Sequence, residues 1–147
     1  MKDGSLDPQA LAERVGIGMM AEDAASRALG IRIDAMGPGH ARLSMRVRPD
    51  MLNGFKICHG GFITTLADSA FAFACNSSNE LTVAAGIAVD FVAPAREGEL
   101  LTATAQQVVL TGRTGIYDVT VTNEKGQIVA VLRGRSHRTK NTQVVAL

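Results

Sequence analysis

His59-Gly60-Gly61-Phe62-Ile63-Thr64-Thr65-Leu66-Ala67-Asp68-Ser69-Ala70-Phe71-Ala72-Phe73-Ala74-Cys75-Asn76 reads as one long apolar helix, closed by Ser77-Ser78-Asn79. It opens on His-Gly-Gly, so backbone N–H groups stand free at an end that attracts developing negative charge. It also sets Asp68 among Phe, Leu and Ala, where burying a carboxylate is costly. Ala67, Ala70, Ala72 and Ala74 let such a helix lie close against a curved surface.

Upstream, residues 8–28 read as a helix, with Asp7 as its cap and Pro8 at its first position. Ala10, Leu11, Val15, Met19 and Met20 recur there at helical spacing, and the run ends near Gly30. Residues 31–35 form a short strand, and Gly37-Pro38-Gly39 a turn. Residues 41–47 alternate: Leu43, Met45 and Val47 face one way, Arg42, Ser44 and Arg46 the other. Downstream of the helix the period is two, with strands over 84–92, 101–110, 115–122 and 127–138. Asn123-Glu124-Lys125-Gly126 joins the last two as a hairpin loop. The tail, 139–147, shows no pattern and is expected to be flexible. A long helix with strands before and after it predicts an α+β fold: one domain over 1–147, its antiparallel sheet wrapped over a buried helix.

Composition narrows the function. At 147 residues the chain can build a proper core. Its net charge of +1 offers no basic excess for nucleic acid. No apolar run is long enough to cross a bilayer, and the opening Met1-Lys2-Asp3-Gly4-Ser5-Leu6-Asp7-Pro8 lacks a signal peptide's apolar stretch. Cys58 and Cys75 have neither zinc-like nor disulfide-like spacing, which points to reduced thiols and a cytoplasmic protein. Trp is absent and Tyr117 is the only Tyr, so there is no platform for stacking bases. His40, His59 and His137 are scattered, and neither a metal nor a cofactor is expected.

The central helix offers both halves of an acyl-transfer site. A backbone N–H at its start can stabilise the negative charge that develops on a carbonyl oxygen, and Gly there permits close approach. A carboxylate can activate water as general base or attack as nucleophile. If the helix starts near Gly60, Asp68 lies roughly 12 Å up its axis. One substrate atom cannot meet both groups of the same chain, so the carboxylate must come from a second subunit. That predicts a two-fold dimer with shared sites. A thioester suits so sparse a site, because a thiolate leaves without a strong general acid.

Several motifs then align with one family: Met51-Leu52-Asn53-Gly54, Cys58-His59-Gly60-Gly61, Leu66-Ala67-Asp68-Ser69-Ala70-Phe71-Ala72, Thr114-Gly115-Ile116-Tyr117-Asp118 and Arg133-Gly134-Arg135-Ser136-His137-Arg138. The chain closely resembles the hotdog-fold acyl-CoA thioesterases of the phenylacetate-degradation (PaaI) type, from about Ala28 to His137. The resemblance implies hydrolysis of acyl-CoA thioesters, with phenylacetyl and hydroxyphenylacetyl groups favoured. It implies dimers, commonly paired into homotetramers. It makes Asp68 the catalytic acid and Gly60 the carbonyl-polarising amide, with His59 and Asn53 in support. Where some relatives carry a strand serine, this chain has Ala88.

Each assignment has an ordinary counterpart. Asp68 could bond Thr64 or Thr65 one turn back, Gly60 and Gly61 could merely start a tight helix, His59 could cap it, and Asn53 could shape a turn. Cys75 reads as core, and so do Phe62, Phe71, Phe73 and Phe91, with room for one or two of these Phe to line the acyl pocket instead. Arg133, Arg135 and His137 share one strand face, either a solvated edge or, with Gly61, part of the substrate site, holding CoA phosphates that Arg46, Arg48 or Arg96 could hold instead. Two other functions share this fold: a hydratase or dehydratase, and a non-catalytic acyl-CoA-binding module. The first lacks its expected Asp-x-Asp…His arrangement here, and the second lacks a DNA-binding extension.

Overall fold

Alternation of inward and outward side chains produces six strands in the computed structural model, which describes residues 4–147. They are β1 (Arg32–Gly37), β2 (His40–Arg46), β3 (Glu80–Phe91), β4 (Leu100–Thr111), β5 (Thr114–Thr122) and β6 (Ile128–Gln143). Met1, Lys2 and Asp3, part of the opening stretch read for a signal peptide, lie outside the described residues. The strands form one antiparallel sheet in the order β1-β2-β4-β5-β6-β3. Register shifts at Ile33/Ala35, Gln107/Val109 and Ala84/Gly86 interrupt the ladders, and such bulges bend and twist a sheet. This is the hotdog arrangement, with the helix α3 (Gly60–Cys75) held inside the curl.

The contact between α3 and the sheet depends on small residues facing large ones. Leu66, Ala67, Ala70, Phe71, Phe73 and Ala74 of α3 are buried against Leu43, Met45, Ala103, Ala105, Val119 and Leu132 of the strands. Phe71 sits directly over Gly134: a methyl group there would come within 2.7–2.8 Å of three ring carbons. The same ring meets Tyr117 with centroids 5.6 Å apart, a favourable tilted geometry. At its far end α3 is tied to β3 by Asn76, whose Nδ2 donates to Ala72 O and Thr82 O while its Oδ1 accepts from Thr82 N.

Two expectations need correction. The helix over 8–28 divides into α1 (Pro8–Glu22) and α2 (Ala24–Ala28). Asp23 breaks it by capping the second piece, its Oδ1 accepting from Ser26 N at 2.9 Å, because Asp competes well for such N–H groups. The tail over 139–147 is docked, not loose. β6 runs on to Gln143 and pairs with an early start of β3 at Glu80. Beyond it, Asn79 clasps the chain, accepting from Val144 N and Val145 N and donating to Val145 O. Val145 rests on Gly18 of α1. Among the described residues, no helix is long and apolar enough to cross a membrane.

Candidate active site

The open end of α3 is fixed by its neighbours. Cys58 N donates to Ala95 O at 2.8 Å, and His59 N donates to Met51 O at 2.7 Å. Of the first four amides of the helix, three are already engaged. Gly61 N donates to His59 Nδ1 at 3.1 Å, and Phe62 N and Ile63 N donate to His59 O. Gly60 N is the one left without an acceptor among the described residues. An orphan N–H at a helix start seeks an anionic or carbonyl oxygen. His59 therefore both caps the helix and selects which amide stays free. With Nδ1 accepting, its ring proton sits on Nε2 and points elsewhere. Gly61, expected with the substrate-binding set, has its amide committed to His59.

Gly60 opens into a cleft of about 660 Å³, lined by Asn53, Ile57, Cys58, Ile63, Phe91 and the segment from Val92 to Ala95. Asn53 shapes its rim: Oδ1 accepts from Phe55 N at 2.9 Å, and Nδ2 is unengaged among the described residues. Phe91, read from sequence as core, is 50% exposed and lies over Gly60. A side chain at Gly60 would meet its ring at 2.9–3.3 Å. The signal for it is positional, since it ends the strand that returns alongside α3. Burial pushes the Cys58 thiol up to about 11, so it stays protonated near neutral pH and is no nucleophile.

Asp68 is two turns along α3, half-buried and outside this cleft. The hydroxyls of Thr64 and Thr65 do not satisfy it. They donate back to Gly60 O and Gly61 O, at 2.8 and 2.9 Å. Burial, and secondly the charge of Asp23, raise its pKa above the ordinary carboxylate value. A half-buried acid without a hydroxyl partner is an uncommon feature to retain. Cys75, pushed by burial to about 12, is a core thiol.

Arg133, Arg135 and His137 project from the outer face of β6. Arg133 is held by Asp118 through two bonds of 2.7 and 2.8 Å. Arg135 makes a 3.5 Å contact to Ala85 O. His137 pairs with Val83, well down β3 from Phe91. Among the described residues no cluster of His, Cys, Asp or Glu could hold a metal ion. A second cavity, about 340 Å³, lies at the other end of α3 between Leu11, Gln107, Tyr117 and Arg138. It contains neither Gly60 nor Asp68, which makes the Gly60 cleft the candidate.

The thioesterase superfamily model matches residues 55–130, the span from the Asn53 loop through α3 into β6. The acyl-coenzyme A thioesterase PaaI of Escherichia coli (strain K12) is 45% identical over 124 residues, covering 84% of this chain and 89% of its own. The solved E. coli PaaI structure superposes with a TM-score of 0.91 at 42% identity, over 92% of this chain and 99% of that one. A mutant form of the phenylacetic acid degradation protein PaaI from Thermus thermophilus gives a TM-score of 0.77 at 38% identity, over 80% and 100%. A Streptococcus mutans protein bound to acetyl CoA gives 0.74 at 25% identity, over 77% and 91%. With its curled sheet, enclosed helix and a free Gly60 amide at the start of α3, the chain belongs to the thioesterase superfamily, in the PaaI-type branch of hotdog thioester hydrolases.

Proposed function

We propose that this enzyme hydrolyses aryl-acetyl-CoA thioesters, phenylacetyl and hydroxyphenylacetyl among them, in the cytoplasm, at sites shared by two protomers. The observation that carries the shared site is the separation of Gly60 N from Asp68 along one helix. The free edge of β3 supports it. This edge strand leaves Val83, Ile87 and Phe91 between 43 and 50% exposed, and a long apolar edge invites pairing. Pairing β3 with its copy about a two-fold axis sets the α3 helices antiparallel. The open end of one then lies beside the body of the other. Two such dimers make the proposed homotetramer.

The acyl carbonyl oxygen accepts from Gly60 N, and Asp68 of the partner subunit faces the carbonyl carbon. The carboxylate either takes a proton from water, whose oxygen adds to the carbon, or adds itself to give an anhydride that water hydrolyses once the thiolate has left. The C–S bond then breaks and CoA leaves as thiolate. His59 and Asn53 keep the amide and the cleft rim in place. The apolar cleft under Phe91 receives the acyl group. Arg135 and His137, with Arg133 beside them, meet the CoA phosphates. PaaI structures named for phenylacetic acid degradation and the acetyl-CoA complex support this reading.

Two experiments test it. Thiol release over a panel of acyl-CoAs should give the highest kcat/KM for phenylacetyl and hydroxyphenylacetyl esters; equal or better turnover of straight-chain esters would refute the aryl preference. For the shared site, two impaired chains are combined, one Asp68→Asn and the other Gly60→Ala. Each mixed dimer holds one site with both groups intact, so activity returns on mixing. Mixtures no more active than the separate variants would place both groups in one chain.

A further inference from the structure

Ser26 is almost fully buried, at 1% exposure, and its hydroxyl stands between two partners. Its Oγ lies 2.6 Å from Asp23 Oδ2 and 2.9 Å from Ser69 Oγ. Ser69 is the residue after Asp68, and is itself 8% exposed. A buried hydroxyl pair fixes geometry tightly, because breaking it strands polar groups away from water. The link spans 43 residues and is a side-chain hydrogen bond from the α1–α2 junction to α3. It reaches α3 beside the carboxyl that the reaction uses.

We propose that Asp23, acting through Ser26 and Ser69, positions the reacting carboxyl of Asp68 and sets its local field, so that the break between α1 and α2 belongs to the catalytic apparatus. This rests on the hydrolase reading above. Ser26 holds the third turn of α3 in register against α2, which fixes where Asp68 projects. Asp23 adds a negative charge near Asp68, and the effect of that charge is already visible in the raised pKa of Asp68, after burial itself. Asp23 is the charged group that raises the pKa of Asp68, and Asp68 in turn acts on the Cys75 thiol. The Cys75 thiol further along α3, pushed by burial to about 12, stays neutral. The division of labour is testable because charge and geometry separate by substitution.

Asp23→Asn keeps an oxygen for Ser26 N and a polar group for the Ser26 hydroxyl, but removes the charge. Asp68 must be ionised to react, so a lower Asp68 pKa extends activity to lower pH. The acid limb of the kcat profile should move to lower pH in Asp23→Asn, with KM unchanged. Ser69→Ala cuts the link while leaving the α2 cap and the charge in place. It should lower kcat about tenfold through misplacement, with KM and the acid limb unmoved. Ser26→Ala should repeat that result, and a melting curve on each variant excludes unfolded preparations. An Asp23→Asn profile superimposable on the parent's, or a folded Ser69→Ala enzyme with full kcat, would overturn the proposal. A parent enzyme that releases no thiol from any acyl-CoA would instead sink the hydrolase reading itself.

Discussion

Asp68→Asn is expected to lower kcat for thioester hydrolysis by about 10³-fold while the oligomer stays intact. Thiol release and size-exclusion chromatography on one preparation read both outcomes. The same variant should be more stable at neutral pH. Burial raises the folded carboxyl's pKa above 3.8, so folding favours its protonated form. That contribution is complete below the unfolded carboxyl's pKa and is lost as pH rises through the raised value. At pH 7 the ionised Asp68 therefore costs stability, and an uncharged amide does not. The melting temperature of Asp68→Asn should exceed the parent's at pH 7, and the gap should close toward pH 3. Lost activity with a raised Tm is what a site residue retained against stability would show. Full activity in pure Asp68→Asn protein would refute the assignment.

The largest structural loss should follow Phe71→Ala, at about 3–5 kcal/mol. Phe71 is fully buried between Gly134 and Tyr117, so truncation leaves a cavity where its ring sits. At roughly 3 °C per kcal/mol for a domain of this size, Tm should fall by about 10 °C or more. Gly134→Ala errs in the other direction, pressing a methyl into the ring, and should cost about 1–3 kcal/mol. Combined, the two should be less damaging than their sum, since the methyl grows toward the vacated space. Strict additivity in a thermal melt would show that Gly134 and Phe71 do not pack as described.

Much of this architecture can be read from residue order. The period-two runs, the alanine-rich helix and the Asp7-Pro8 start all lie where local chemistry places them. The axial distance from Gly60 to Asp68 needs only helix geometry. Order that comes from partners distant in sequence is the hardest to read. Residues 139–147 have no pattern of their own because their order comes from Asn79 and Glu80. The helix break is legible in principle, because Asp23 followed by Ser26 is a capping pattern. Apolar spacing on either side masks it. Phe91 belongs to the apolar class and is expected inside, whereas an edge strand leaves it in the cleft. The choice of Gly60 over Gly61 as the free amide depends on the His59 ring, whose rotamer no spacing reveals.

Tyr117 gives the molecule an unusual optical property. It is the only tyrosine, with no tryptophan beside it, and it is 2% exposed against Phe71. Its phenol donates to Gln107 at 3.2 Å. Near-ultraviolet emission and dichroism therefore come mainly from one chromophore seated where helix meets sheet. Spectroscopy of the unlabelled protein becomes a single-residue measurement of whether that junction is closed.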